Sequence, residues 1–175
     1  MHRRIKTAIA SLTFVFALGL TTNTLAQDSN SYSLRAKLIS FNQVPSVLAA
    51  SKGHFEGEIN SDGTLWFSLA YSNMSSPVVQ AHIHFGAGRT NGGVIVFLCG
   101  GPKPACPASG TITGTITAAD VSILPATNGD SVIPQGIQPG NFAGLLAAIL
   151  SGDSYVNVHT ANFFTGEIRG QVELE

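Results

Sequence analysis

Residues 52–71, KGHFEGEINSDGTLWFSLAY, constrain the fold of this chain more than any other stretch. Lys52, His54, Glu56 and Glu58 alternate with Phe55 and Ile59, the two-residue period of a strand with one wet face and one dry face. NSDG at 60–63 reads as a tight turn into a second strand-type run at 64–71.

Partner strands are present on both sides. SYSLRAKLISF (31–41) stops before NQVPS, a turn signal with Pro45, and VVQAHIHFG (78–86) follows the loop NMSSP. VIVFLC (94–99) is a continuous apolar run of the kind buried on both faces, and SGTITGTIT (109–117) alternates Thr with Ile and Gly. SYVNVHT (154–160) and GEIRGQVELE (166–175) form a second hairpin. With Thr160 opposite Gly166, His159 meets Glu167, Asn157 meets Arg169 and Tyr155 meets Gln171, all on one face. Val156, Val158, Ile168, Val172 and Leu174 share the other face and are expected to point to the core, leaving the polar set to solvent or a site.

Residues 118–151 are rich in breakers and read as an irregular excursion, closed by one helix of about three turns in NFAGLLAAILSGD, with Asn141 as its cap and a Gly stop. The expectation is an all-β, antiparallel sandwich or partly closed Greek-key barrel of immunoglobulin-like type, with one short helix near 141–150.

The first 26 residues read as a signal peptide: basic MHRRIK, an apolar run too short for a spanning helix, and a small-residue cleavage site before Gln27. A single domain is expected over 27–175, secreted or periplasmic, with no stable membrane insertion after cleavage. Only 11% of residues are charged and the net charge is −1, so no basic stripe favours nucleic acid as a partner. In an exported chain Cys99 and Cys106, flanking a short Gly/Pro loop, read as a disulfide worth about 2–3 kcal/mol in loop entropy.

No nucleophile motif and no phosphate-cradling loop before a helix occurs, so no catalytic residue is assigned. GAGRTNGG lies between two strands and reads as a flexible connection. The histidines alone have metal-ligand character. His82 and His84 share a strand face, and His159 lies on the polar face of the last hairpin. Three neutral imidazoles from two strands suit Zn(II) or Cu(II). The alternative is three ordinary surface or half-buried histidines, bonded to neighbours such as Glu167.

AHIHFG, GGVIVFL, GDSYVNVHT and GEIRGQV, in this order, together with the V-P turn and Gly-containing hairpin of FNQVPS…ASKGHFEGEINSDGTLWFSLAY, resemble the CHRD domain over about residues 32–174. That module is named from chordin and also occurs in exported bacterial proteins. The resemblance implies a β-rich interaction module. A fainter likeness is to copper/zinc superoxide dismutase, carried by HIHFG, Cys99, VNVH and IRG in the same order. It implies a superoxide-dismutase-like barrel, His82, His84 and His159 as copper ligands, and Arg169 attracting an anion. The chain departs from that family in lacking a bridging histidine between Cys99 and His159 and a zinc-ligand cluster.

Taken together, the sequence reads first as an exported CHRD-type module that binds an unknown protein or small ligand without catalytic machinery. The alternative is a mononuclear copper or zinc protein using His82, His84 and His159, with weak superoxide-dismutase-like redox activity. Arg169, Glu167 and Asn157 are its expected supporting or anion-attracting residues.

Overall fold

The structure, a computed structural model, describes residues 31–175, so the expected leader at 1–26 lies outside the described residues. Among the described residues, nine strands and one α-helix run in the order β1 (Tyr32–Ile39), β2 (Lys52–Ile59), β3 (Leu65–Ser72), β4 (Val78–Phe85), β5 (Val94–Cys99), β6 (Gly110–Ile116), α1 (Phe142–Leu150), β7 (Ser154–Thr160), β8 (Ile168–Gln171) and β9 (Glu173–Leu174).

The β2–β3 hairpin forms as its alternation requires. Phe55 pairs with Leu69, Gly57 with Phe67 and Ile59 with Leu65, and the turn closes through the Gly63 amide on the Asn60 carbonyl. The dry faces turn inward, where the Phe55 and Phe67 rings stack at 6.4 Å. Leu34, Leu38, Leu69, Ile83, Val156, Val158 and Ile168 join them in one buried cluster. Each such side chain contributes roughly 1.5–3 kcal/mol by leaving water.

Strand order is β5-β4-β7-β8-β1-β2-β3-β6, antiparallel throughout, with β9 also paired to β1. The C-terminal strands β7 and β8 therefore insert between β4 and β1. The sheet curls until β5 and β6 touch without pairing, giving a nearly closed barrel. Of the two architectures expected, the partly closed barrel is the one formed. The Cys99–Cys106 disulfide, with Cα atoms 5.1 Å apart, sits at the end of β5 beside this seam.

All six residues of β5 are buried. The excursion after β6 covers its free edge: the Ser122 amide donates to the Ile95 carbonyl and the Val94 amide to the Asp130 carbonyl, both at 2.7 Å. Helix α1 is shorter than three full turns, at nine residues. Asn141 caps it by accepting from the Gly144 amide at 2.9 Å, and Leu145, Ala148 and Ile149 bury against the core. The last hairpin takes the expected register, Tyr155 to Gln171 and Asn157 to Arg169. Leu174 departs from expectation: it is 43% exposed, because β9 is only two residues long at the chain end, whereas Val172 is buried.

Candidate metal centre

The strands that face the core with Ala81, Ile83, Val156 and Val158 turn His82, His84, Tyr155, Asn157 and His159 to the outside of the barrel. These outward residues are nonetheless buried, since loops roof this part of the wall. Residues 86–93 cross it, the excursion brings Asp130, and the β7–β8 link brings Phe164 and Thr165. Together they enclose a cavity of about 290 Å³. The histidines are thus neither solvated nor half-exposed.

Register sets their spacing. His82 lies opposite Asn157, His84 opposite Tyr155, and Gln80 opposite His159, so His82 and His159 are diagonal neighbours. Nδ1 of His82 is 3.2 Å from Nε2 of His159, and one nitrogen from each of the three rings falls within 4.8 Å of the others. Phe97 of β5 packs edge-on to His82 with centroids 4.3 Å apart.

Backbone carbonyls orient two of the rings. His84 Nδ1 bonds the Gly92 carbonyl at 3.0 Å, and His159 Nδ1 bonds the Phe164 carbonyl at 2.8 Å. A carbonyl only accepts, so Nδ1 carries the proton in both and Nε2 holds the lone pair. Among the described residues, Nε2 of His82 and Nε2 of His84 are buried with no hydrogen-bond partner. A buried polar atom without a partner is costly, about 1–3 kcal/mol.

All three rings are held neutral. Burial, then the repulsion a protonated His82 would meet from protonated His84 and His159, lowers His82 to about 2. Burial lowers His84 to about 3 against the Gly92 bond, with help from the charges of His159 and Arg169. His159 is also held below its ordinary value by burial, which outweighs the Phe164 carbonyl and Asp130. Neutral imidazole is the ligating form.

Two residues add to the expected set: Gly92, from the loop read as flexible, and Tyr155, expected on the polar hairpin face but without a role. A Cβ on Gly92 would stand 1.6 Å from the Phe85 carbonyl oxygen, so only glycine brings the His84 acceptor this close. The loop read as flexible is therefore pinned, its Gly92 amide also donating to the Tyr155 hydroxyl at 3.2 Å. Tyr155 stacks on His84 with centroids 4.7 Å apart and nearly parallel planes. Its other neighbour is Arg169, whose guanidinium carbon lies 3.4 Å from the ring centre.

The remaining expected residues divide. Asn157 lines the cavity and accepts from Gln43 at 2.6 Å. Arg169 lines a neighbouring cavity instead, donating to the Ala87 carbonyl and Asn91 Oδ1 at 3.2 and 3.4 Å. Glu167 is fully buried but bonds no histidine among the described residues. Ser51 and Thr160 hydroxyls and the Ser75 hydroxyl and amide fill its oxygens. Burial alone would raise this carboxyl, but those hydrogen bonds outweigh it and hold it below the ordinary range. Among the described residues, none of His82, His84 and His159 bonds a carboxylate.

The CHRD domain profile matches residues 34–172 of this sequence. The chain belongs to the CHRD family. No curated protein and no solved structure matches it significantly. Membership accords with a binding or interaction module, and the matched span contains every residue of the histidine cavity and both cysteines. Among the described residues, no helix of this CHRD domain is long and apolar enough to cross a membrane.

Proposed function

We propose that this CHRD domain is an exported binding module whose ligand is one transition-metal ion, copper or zinc, held by His82, His84 and His159. One observation carries the reading: three neutral, buried imidazoles each bring a nitrogen within 4.8 Å of the others, and among the described residues Nε2 of His82 and Nε2 of His84 find no hydrogen-bond partner. The carbonyl bonds at Gly92 and Phe164 do what outer partners of metal-bound histidines do, fixing tautomer and ring orientation. An all-imidazole donor set suits Cu(II) and Zn(II) better than Mg²⁺ or Ca²⁺, and the general affinity order favours copper. Three protein ligands leave a position open toward the cavity, where Asn91, Asp130 and Thr165 lie. Export agrees with the leader-like N-terminus and with a disulfide, which persists in oxidising compartments.

The test is elemental analysis of untagged protein after copper and zinc loading and desalting. About one ion per chain is expected, with nitrogen hyperfine structure in the Cu(II) spin-resonance spectrum. Both should vanish in His84→Ala while the far-ultraviolet circular dichroism of the barrel persists. Loaded wild type without stoichiometric metal would overturn the proposal.

A further inference from the structure

Tyr155 and Asn157, which line the histidine cavity, are backed by Arg169 and Gln43, which line a second cavity of about 540 Å³. Arg169 is 2% exposed. Its nitrogens bond only neutral acceptors, and it makes no ion pair with an acidic side chain among the described residues. A buried guanidinium without a counter-charge is costly to keep, and an anion entering the cavity relieves that cost. Arg89 lines the same cavity from the 86–93 loop, exposed and also without an ion pair among the described residues. It holds φ at 65°, a conformation that non-glycine residues rarely adopt.

The polar amides around the cavity are already engaged. Asn42 donates to the Arg169 carbonyl, Gln43 to Asn157, and Gln171 to the Gly86 and Gly152 carbonyls. The two guanidiniums therefore remain as the cationic donors. Facing them are Phe41, with 61% of its surface exposed, Val44 and Pro45.

We propose that this cavity binds a small organic carboxylate. A planar carboxylate matches guanidinium forks with both oxygens and turns its hydrocarbon part to the wall of Phe41, Val44 and Pro45. A phosphate would press further charged oxygens against that apolar wall. The site uses none of the three histidines and stands independently of the metal reading.

The test is calorimetric titration of the EDTA-treated full chain with phenylacetate, neutral phenylacetamide and inorganic phosphate at low salt. Phenylacetate is expected to bind one to one, at least about tenfold more tightly than phenylacetamide, and to shift the Arg169 Nε–H signal by NMR. Arg89→Gln, at an exposed position, should weaken phenylacetate about tenfold without unfolding the barrel. No heat and no shift up to about 10 mM phenylacetate would overturn the proposal. So would equal affinity for acid and amide, an unchanged Arg89→Gln, or binding of phosphate alone.

Discussion

Acid should destabilise the metal-free protein well before its carboxylates titrate. In the unfolded chain a histidine takes up a proton near 6.5, whereas folded His82 and His84 resist until about 2 and 3. The unfolded state therefore binds more protons between those limits, and stability must fall as pH drops below 6.5. At pH 5 each ring lies about 1.5 units below its unfolded value, which costs about 2 kcal/mol per ring at 1.36 kcal/mol per unit. The pair costs about 4 kcal/mol, a large share of the 5–15 kcal/mol typical of a domain. His159 is shifted the same way and adds to the loss. Glu167 and Asp120 are held below ordinary carboxyl values, so their contributions persist at pH 5 and are lost only at lower pH. The window between pH 7 and 5 thus isolates the imidazoles. Urea titrations of EDTA-treated protein at both pH values measure the effect, and His82→Gln should remove about 2 kcal/mol of the difference. Equal stability at pH 7 and 5, or a His82→Gln protein with the wild-type pH slope, would refute the burial of neutral rings.

Two further changes probe the supports of the site. Gly92→Ala cannot keep its loop against the Phe85 carbonyl, so it should release His84 Nδ1, weaken copper binding by about tenfold or more and cost about 1–3 kcal/mol. Competition with a chromophoric chelator reads the affinity, and an unchanged value would mean that the Gly92 carbonyl does not set the ring. Glu167→Gln turns a carboxylate filled by donors into an amide that faces one of them with another donor. A loss of about 2–4 kcal/mol in the urea midpoint is expected, with metal stoichiometry untouched. An unmoved midpoint would show that the loops of Ser51, Ser75 and Thr160 are held by other contacts.

The wall of the site was legible and its roof was not. The two-residue period fixed which of Tyr155, Asn157 and His159 share a face with His82 and His84, because core burial of Ile83, Val156 and Val158 leaves no alternative. Hairpin pairing likewise placed Arg169 across from Asn157. Whether that face met water depended on how the irregular segments carrying Gly92, Asp130 and Phe164 fold back over it, and no strand or helix period encodes those paths. Glu167 illustrates the same limit. Pairing arithmetic put it opposite His159, but β8 begins one residue later, and Gly166 at φ 119° precedes it. The carboxylate turns instead to Ser51, Ser75 and Thr160. Gln43 lay in what read as a mere turn, and its bond to Asn157 follows from the folded path of 40–47 across the barrel end.

Beyond the register shift between Val78 and Gln80, β4 carries the core on Ala81 and Ile83 and the imidazoles on His82 and His84. Odd and even are exchanged by a single inserted or deleted residue. Such a change between Ala81 and His84, left unabsorbed by a bulge, would drive imidazoles into the barrel interior and apolar side chains under the loops. The fold and the histidine cluster therefore share one parity, and a lineage that slips this strand forfeits both at once. Loops 86–93 and 161–167 are tied to the site at Gly92 and Phe164, whose carbonyls orient His84 and His159, so ligand access can diversify by insertion there only where those two contacts are kept.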